Sequence, residues 1–384
     1  MRDIATATVR SITYTEASGW SDMPSELDSD RTLLTVFSAH GLESTPGALN
    51  ILKDAFPNSH AIGCSTSGEI DGAELNDESI SVGIMQFQHT DLTTVSAPVR
   101  SRDDSERAGR HLGEQLVRPG LQAIFVIADG HETNGTALTR GLRESVSPDV
   151  IITGGMAGDG TRFGRTWVLL NGKPTTGFAT AIGLYGDRLN VGYGSCGGWS
   201  VFGPERRVTR ADGPVLRELD GKPALALYKE YLGDFADQLP ASALRFPLEI
   251  RRTEDDEHRL VRTIISIDEA DQSMTFAGDI PEGHLAQLMR ANFDSLLDGA
   301  EDAAHRCRAT SRADAPCLAI AVSCVGRRLV LGERTEEELE RTLGVLPQDS
   351  VQVGFYSYGE IGPFASGAAE LQNQTMSLIT FTEL

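Results

Sequence analysis

The sequence predicts a mixed α/β protein with two related halves, each built on large mixed sheets flanked by helices, and a cleft between the halves. Nearly continuous apolar runs, such as residues 121–128, are typical of strands that are covered on both faces. Segments with apolar residues at helical spacing lie between these runs. Residues 63–70 and 354–361 share one skeleton, a glycine, four residues and then Gly-Glu-Ile, so we expect two corresponding turns to organise the chain.

Residues 1–200, with a core at about 30–195, are predicted to form the first domain. Helices are expected over residues 46–56, with Thr45 as the N-cap, over 103–117, and from the turn at 129–135 to residue 146. Strands are expected over residues 5–13, 33–38, 60–63, 79–87, 121–128 and 150–153, with an antiparallel meander at 166–171, 178–185 and 189–193. Glycine turns are predicted to begin at Gly63 and Gly154, where two of the strands end.

A glycine-rich link at residues 194–204 is the predicted boundary to a second domain, residues 201–384. Thr335 and Glu338 have the spacing of a capping pattern at the start of a helix. The predicted elements are a helix at 224–232, a strand pair at 248–252 and 260–267, the longest helix at 283–308, a strand at 317–323, a helix at 335–343, and strands at 351–358 and 375–382.

Composition excludes several classes of function. A formal net charge of −21 repels phosphate backbones and argues against direct binding to nucleic acids. No run approaches the roughly 20 apolar residues of a membrane-spanning helix. The N-terminus has no apolar signal-peptide core, so we expect a cytoplasmic protein. The five cysteines form no CxxC pair, which argues against a disulfide framework and a zinc knuckle.

The small polar residues at the predicted turns are candidate ligand contacts. Backbone N–H groups and hydroxyls at a glycine turn can hold a carboxylate or another polar group. The alternative is a tight, hydroxyl-capped crossover between strand and loop. The candidates are Cys64, Ser65, Thr66, Ser67, Gly68 and Glu69 in the first turn, and Gly154, Gly155, Gly158, Asp159, Cys324, Tyr358, Gly359 and Glu360 in the others.

Charged residues near these turns favour a zwitterionic ligand. Arg327 offers a guanidinium fork that can bind a carboxylate in a bidentate manner. Glu69 and Glu360 could hold an amino group if a pseudo-twofold arrangement turns both toward a shared cleft. The alternative is a salt bridge from Arg327 to one of these glutamates. Asn373 offers amide contacts to a ligand, or satisfies the backbone at the start of the last strand.

Catalytic motifs are weak in this sequence. No histidine lies near Cys64 or Cys324 in the chain, although a nucleophilic cysteine needs a base, so buried structural thiols are the preferred interpretation. The serines around residue 65 are not in a Gly-x-Ser-x-Gly elbow. The glycines at 154–160 have neither dinucleotide-loop spacing nor the Lys-Ser/Thr of a P-loop.

Five ordered motifs, however, resemble those of the FIST proteins, which carry paired FIST N and FIST C domains. The motifs occupy residues 63–70, 154–159, 323–327, 358–361 and 373–375, and the resemblance covers the chain from about residue 30 to its end. It implies a cytoplasmic sensory module that binds a small ligand, with amino acids as candidates, and passes a signal to a partner.

One branch of the family implies a further possibility, a haem-bound nitric oxide sensor that works with histidine kinases or cyclic-di-GMP enzymes. Haem needs only one axial histidine, for which His131 and His284 are the candidates. Family members often have His-Asn before the final strand, whereas this chain has Gln372-Asn373. No kinase, cyclase or receiver segment follows, so we expect the effector to be a separate protein.

The expected function is therefore non-catalytic sensing of a small ligand, held between the two halves and signalled to a separate effector. The first alternative is the haem-based nitric oxide sensor. The second is a thiol enzyme that uses Cys64. Homodimerisation is left open.

Overall fold

The computed structural model describes residues 7–42, 47–256, 258–311, 313–363 and 367–384. It confirms a mixed α/β fold in which mixed sheets are flanked by helices. The fold consists of a body made of three repeats and a subdomain inserted into the third repeat.

The first repeat is built around a pair of parallel strands, β3 and β4, and also contains a short hairpin, β5–β6. Its elements are β1 (Thr8–Thr15), β2 (Gly19–Trp20), β3 (Thr32–Ala39), α1 (Ala48–Ala55), β4 (His60–Thr66), β5 (Glu69–Asp71), β6 (Glu74–Asn76) and β7 (Ser79–Gln86). The predicted N-cap Thr45 and the start of the predicted strand at 5–13 lie outside the described residues.

The second repeat has the same plan, with β9 and β10 as the parallel pair and β11–β12 as the hairpin. Its elements are β8 (Asp91–Pro98), α2 (Ser105–Leu116), β9 (Leu121–Ala128), α3 (Gly135–Ser145), β10 (Ile151–Met156), β11 (Val168–Leu170), β12 (Lys173–Thr175) and β13 (Phe178–Tyr185). Asn134 begins α3, since its side chain accepts a hydrogen bond from the backbone N–H of Ala137.

The third repeat closes the body. It begins with β14 (Leu189–Cys196) and resumes after the inserted subdomain with α5 (Phe293–Thr310), β23 (Leu318–Cys324), α6 (Val325–Leu331), α7 (Thr335–Val345), β24 (Val351–Ser357), β25 (Gly359–Pro363), β26 (Ala369–Gln372) and β27 (Met376–Glu383). Strands β23 and β24 are its parallel pair, and β25–β26 is its hairpin.

Each repeat gives its hairpin to the sheet of another repeat. Strand β5 pairs with β24, β25 pairs with β10, and β11 pairs with β4, so the exchange is cyclic. The resulting sheet orders are β12-β11-β4-β3-β7-β1-β2, β26-β25-β10-β9-β13-β8 and β14-β27-β23-β24-β5-β6. Strands from the two predicted domains therefore share sheets, and the boundary at residue 200 stays a prediction.

The three sheets enclose one central core. Phe37, Phe125 and Phe355, one from each repeat, are fully buried in the same apolar cluster. The Phe37 and Phe355 rings stack with their centroids 4.8 Å apart. The helices cover the outer faces of the sheets, where three further clusters include Leu49 of α1 and Leu138 of α3. Burial on both faces explains the continuous apolar runs in the sequence.

The inserted subdomain lies between β14 and α5 and has its own core, which includes Tyr228 and Phe276. Its elements are β15 (Ser200–Asp212), β16 (Val215–Leu219), β17 (Lys222–Pro223), α4 (Ala224–Leu232), β18 (Leu248–Arg251), β19 (Leu260–Arg262), β20 (Ile264–Asp268), β21 (Ser273–Phe276) and β22 (Leu285–Arg290). The predicted helix at 224–232 and the predicted strand pair β18–β19 are confirmed.

The predicted helix at 283–308 is wrong in its first part. Residues Leu285–Arg290 form β22, which pairs with β15 and β18, and α5 begins only at Phe293. Leucine and methionine spaced three and four residues apart fit a helix, but pairing on both edges places this segment in the sheet. Asn292 then caps α5, with its side chain accepting from the backbone N–H of Ser295.

The predicted meander is also wrong. Its strands exist as β11, β13 and β14, but each belongs to a different sheet. Antiparallel strands close in the chain usually pair. Here the hairpin exchange takes β11 to β4, and β14 begins the third repeat, where it pairs with β27.

The turns predicted at Gly63 and Gly154 begin later, because β4 and β10 continue to Thr66 and Met156. A side chain at Gly63 would overlap the carbonyl of Val36 on the parallel neighbour. An added Cβ at Gly154 or Gly354 would likewise overlap a backbone carbonyl of the parallel neighbouring strand in the same repeat. These glycines therefore serve close strand packing rather than a turn.

Candidate functional site

The carboxyl ends of the three parallel pairs lie where the predicted motifs occur. Strands β4, β10 and β24 end at Thr66, Met156 and Ser357, and β9 and β23 end at Ala128 and Cys324. Chain segments that follow these strands line two adjacent spaces, the main cavity and an open cleft. Sheets of this kind bind ligands beyond their carboxyl ends, so both spaces are candidate sites.

Glu69 and Glu360 repeat one arrangement of hydrogen bonds. Thr66 donates its hydroxyl hydrogen bond to Glu69, whose second oxygen accepts from the Ser79 backbone N–H at 3.2 Å and from its hydroxyl at 3.1 Å. Ser357 donates to Glu360 at 2.6 Å, and Thr375 donates to the second Glu360 oxygen from its N–H at 3.2 Å and from its hydroxyl at 2.9 Å.

These two carboxyl groups are internal. Glu69 is 1% exposed and Glu360 is fully buried. Burial raises the pKa of each carboxyl to about 8, although the hydrogen bonds oppose the shift. Each group ties the first strand of an exchanged hairpin to its own repeat. Their geometry supports the crossover interpretation of the turns, and Glu360 lines neither space.

Arg327 lies away from both spaces. Its guanidinium is fully buried and forms an ion pair with Glu338, with Nη2 and Oε2 2.8 Å apart. It also donates to the carbonyls of Gly197 at 2.5 Å and Leu296 at 2.8 Å. The sequence predicts that Arg327 binds a ligand carboxylate or pairs with Glu69 or Glu360. In the structure its acidic partner is Glu338 instead.

The capping role predicted for Glu338 is wrong for the same reason. Besides the ion pair, its side chain accepts from the hydroxyls of Ser323 at 2.9 Å and Tyr356 at 2.7 Å. Glu338 therefore faces the sheet, and within the described residues no side chain caps the N-terminus of α7 by a hydrogen bond.

The two cysteines of the motifs are buried thiols. Burial raises the pKa of Cys64 well above its usual value, and the nearby Glu69 adds to the shift. Burial also raises the pKa of Cys324. Reactive thiols need a lowered pKa, so this environment opposes thiolate chemistry at either position. Cys64 lies in the central core, whereas Cys324 reaches the main cavity.

Other candidates have structural surroundings. Ser65 in β4 accepts a hydrogen bond from the Trp167 backbone N–H at 3.0 Å. Gly155 lies within β10, and Gly359 begins β25. Asn373 is 1% exposed, and neither polar atom of its side chain has a hydrogen-bond partner within the described residues.

The main cavity has a volume of about 440 Å³ and lies between the body and the inserted subdomain. From the body it is lined by the ends of β9, β10, β23 and β24, including His131 and Tyr358. The opposite wall comes from the subdomain, including Leu239, Thr263 and Phe276. The sequence does not reveal this second wall. Its residues carry no motif and reach the cavity only because the inserted subdomain folds against the body.

Three polar atoms in the wall of the main cavity have no hydrogen bond to any described residue. They are His131 Nε2, Thr133 Oγ1 and Thr263 Oγ1, all buried and all without a partner in the part of the chain that the structure describes. Thr133 and Thr263 are 4% and 6% exposed. Buried polar groups in proteins are nearly always hydrogen-bonded, so three such groups around one space indicate a missing partner.

Aromatic rings and two charges complete the main cavity. Tyr358 stacks on Phe163 at 4.9 Å and meets the His131 ring edge-on at 5.9 Å. Arg102 and Asp279 also line the cavity. The cavity thus offers apolar surface, hydrogen-bonding groups and one charge of each sign.

The open cleft is larger, about 1300 Å³, and contains most of the first motif. Its lining includes Thr66, Ser67, Gly68, Glu69, Asp159 and Arg328. Arg328 pairs with Asp77 at 2.5 Å and donates to the Ser67 carbonyl. Gly158 packs against Ser67, where a side chain would overlap the serine hydroxyl.

Asp159 connects the two spaces, since it borders the cleft and accepts a hydrogen bond from the hydroxyl of Tyr358 in the main cavity. The backbone N–H groups of Gly164 and Arg165 also donate to it, each at 2.8 Å. Burial acts to raise the pKa of Asp159, but the hydrogen bonds outweigh it and lower the pKa.

The two candidate haem ligands lie in different places. His131 lines the main cavity with its unpartnered Nε2, which fits the donor chemistry of an axial ligand. His284 lies just before β22 in the inserted subdomain and lines a separate pocket. Among the described residues, no three His, Cys, Asp or Glu side chains are grouped as a metal site requires.

Comparison with known proteins identifies two domains. The FIST N domain matches residues 32–222, and the FIST C domain matches residues 224–363. An uncharacterized protein of Methanocaldococcus jannaschii is 23% identical over 274 residues, which are 65% of this chain and 52% of that protein. The chain thus aligns with about half the length of this curated relative.

FIST domains are sensory domains implicated in signal transduction and in binding small ligands. None of the helices in the described part of the chain combines the length and the apolar character that crossing a membrane requires. With two matched domains that together cover most of its length, the chain belongs to the FIST family.

Proposed function

We propose that the protein senses a small ligand that binds in the main cavity. The observation that carries this proposal is the set of unpartnered buried atoms in the cavity wall, His131 Nε2, Thr133 Oγ1 and Thr263 Oγ1. Leaving such groups unsatisfied costs about 1–3 kcal/mol each. A ligand with matching polar groups would recover this energy, whereas an apolar molecule would not.

The lining favours a ligand that is mainly apolar and carries few polar groups. Met156, Phe163 and Leu244 are among the apolar residues, and Arg102 and Asp279 supply the two opposite charges. An amino acid with an apolar side chain combines these features, with its carboxylate toward Arg102 and its ammonium group toward Asp279. Arg102 and Asp279 thus take the roles that the sequence suggested for Arg327 and the two glutamates.

Signalling follows from the position of the main cavity. One wall belongs to the body and the other to the inserted subdomain, so a bound ligand would bridge them and favour a closed arrangement. The ligand shifts this equilibrium only by its difference in affinity for the two arrangements. A changed surface would then be presented to a separate cytoplasmic effector, for which a histidine kinase or a cyclic-di-GMP enzyme is our proposal.

A second candidate is haem-based sensing of nitric oxide, favoured by the unpartnered Nε2 of His131 in a largely apolar cavity. His131 would hold the iron, and bound haem would supply the gas-binding centre. The ring of Tyr358 lies beside His131, with Phe163 stacked on Tyr358, and the Tyr358 ring would limit access of water to this side of the histidine.

The test begins with an absorption spectrum of the purified protein, because a Soret band would establish the haem alternative. Calorimetry with L-leucine and L-phenylalanine then tests amino-acid binding. We expect Thr263→Val to weaken binding by about three- to tenfold through loss of one hydrogen bond. Thr180→Val is the matched control, since the Thr180 hydroxyl is also buried without a partner in the described structure but lies outside the main cavity.

Equal affinity of Thr263→Val and the parent protein would contradict the placement of the ligand. Absence of both a Soret band and binding of either amino acid would contradict the ligand chemistry proposed here.

A further inference from the structure

Basic residues gather in a second pocket, of about 460 Å³, between the inserted subdomain and the body. Helix α3 forms one wall and β26 borders it, while β18, β19 and the chain around them form the other wall. This basic pocket is lined by Arg140, Arg143, Arg251, Arg252, Arg262 and His258, among others. Such a concentration of cations stands out in a chain with a formal charge of −21.

Arg262 differs from its neighbours in forming no direct ion pair within the described residues, and the carboxylates of Glu370 and Asp279 act on it only from a longer distance. Its side chain is buried, with 3% exposure, and it donates to the carbonyls of Asp279 at 3.2 Å and Leu371 at 3.1 Å. No carboxylate of the described residues lies within ion-pair distance of it. Burial lowers its pKa to about 10, so the guanidinium remains charged at neutral pH. A buried cation needs compensation by an anion.

Two of the other cations of the basic pocket are held only weakly by acids. Arg143 lies 3.8 Å from Glu370, which also pairs with His258 at 3.1 Å. Arg252 lies 3.5 Å from Asp256, and its side chain is 76% exposed. Exposed pairs of this kind contribute little free energy, so both arginines can turn to a ligand at small cost.

An independent feature comes from α3. The hydroxyl of Thr136, in the first turn of this helix, lines the basic pocket, is buried, and has no hydrogen-bond partner within the described residues. The N-terminal end of a helix favours negative charge. An unpartnered hydroxyl among the described residues therefore lines the same pocket as a buried arginine that has no direct ion pair there.

We propose that the basic pocket is a second ligand site, for a small polyanion with phosphoryl or carboxylate groups. Arg262 would form the floor of the site, Thr136 would donate its hydroxyl, and Arg143 and Arg252 would close over the anion from the body and the subdomain. Guanidinium groups suit this role because their fork binds phosphate and carboxylate oxygens in pairs.

The basic pocket is also placed to regulate the main cavity, an inference that rests on the proposed function. Asp279 and Leu371 line both spaces, and Thr263, next to Arg262, lines the main cavity. An anion that joins α3 to the subdomain would hold the two walls of the main cavity together. The anion would then raise affinity for the cavity ligand, and the cavity ligand would raise affinity for the anion by the same factor.

The test is calorimetric titration of the full chain with pyrophosphate and, separately, with citrate, at constant low ionic strength. We expect saturable binding of at least one probe, weakened about tenfold in Arg143→Gln and in Arg252→Gln. Both side chains are substantially exposed, so these variants should fold. Arg107→Gln, a 70% exposed arginine outside the pocket, is the matched control and should bind like the parent.

If the Arg262→Met variant folds, it should bind neither probe. If it does not fold, Arg143→Gln and Arg252→Gln decide whether the site exists. Lack of saturable binding of both probes would overturn the site, as would unchanged affinity in Arg143→Gln and Arg252→Gln. The anion titration is done without an amino acid in the main cavity. It can therefore detect the basic pocket even if the main cavity binds no amino acid, so the two proposals can fail independently. Repeating the titration with L-leucine present tests the coupling.

Discussion

Arg327 and Glu338 form an ion pair in which both side chains are completely buried, with Nη2 and Oε2 2.8 Å apart. The other hydrogen bonds of the pair go to Ser323, Tyr356 and the carbonyls of Gly197 and Leu296. The pair thereby joins β23, β24 and α7 to the chain that leads into the inserted subdomain.

Breaking this ion pair should destabilise the protein. We expect Arg327→Met to lower the free energy of unfolding by about 3–5 kcal/mol, because Glu338 is left as an uncompensated buried charge. Urea denaturation measures the effect. Arg110→Gln, which removes exposed pairs with Glu106 and Glu144, should leave the stability almost unchanged, because exposed ion pairs contribute little. A stability of Arg327→Met equal to that of the parent would refute the structural role.

Glu69 and Glu360 predict a pH dependence of stability. Burial raises the pKa of each carboxyl to about 8, above the model-peptide value of 4.5. The folded state therefore binds more protons than the unfolded state between these values, and stability should fall as pH rises from about 5 to 8. The limiting slope is about 1.4 kcal/mol per pH unit for each group.

Urea denaturation across this pH range tests the prediction, with Glu69→Gln and Glu360→Gln as the variants. Each neutral variant should flatten the pH dependence, and the double variant should flatten it most. Stability of the parent that rises between pH 5 and 8, or a slope unchanged by both substitutions, would contradict the raised pKa values.

Gly354 should tolerate no side chain. An alanine Cβ at this position would overlap the carbonyl of Ala321 on the parallel neighbour. We expect Gly354→Ala to cost about 1–3 kcal/mol of stability, as overpacking does. Gly344 is the matched control, since it lies in α7 with no atom near the added carbon, and Gly344→Ala should stabilise by about 0.5–1 kcal/mol. Similar thermal midpoints for the two variants would show that the close approach is not required.

The hairpin exchange predicts that fragments will not fold alone. A fragment of residues 1–222, which contains the FIST N match at 32–222, lacks β24 for its β5–β6 hairpin and β25 for its strand β10. We expect no cooperative thermal unfolding of this fragment, and recovery when residues 223–384 are co-expressed. A cooperatively folded fragment would show that the exchanged strands are dispensable.

Removal of the inserted subdomain should be tolerated, because the chain enters and leaves the subdomain at neighbouring points of the body. Gly198, before β15, packs against the backbone of Ser295 at the start of α5. Replacing residues 200–290 by a short Gly-Ser linker should leave a cooperatively folding body without the main cavity. Calorimetry should then detect no amino-acid binding, and loss of the folded body would contradict the division described above.

Much of the local structure is predictable from the sequence. Apolar runs identify β9 and β23, an alternating pattern identifies β27, and the turn at residues 129–135 marks the start of α3. The repeated Gly-Glu-Ile skeleton correctly indicates that Glu69 and Glu360 correspond, as their matching hydrogen bonds show. The corresponding unit of the second repeat escapes detection, because Gly158-Asp159 is separated from its hairpin strand β11 by a longer loop.

Residues 63–70 and 354–361 thus illustrate what the sequence by itself determines: which segments form strands, which positions need glycine, and which buried acids correspond. Only the tertiary structure decides that each hairpin joins the sheet of another repeat and that Thr263 of the inserted subdomain faces His131 across a cavity. The physical reason is that an apolar pattern specifies that a face must be buried but not which surface buries it. Partners distant in the chain are chosen by packing around the shared core.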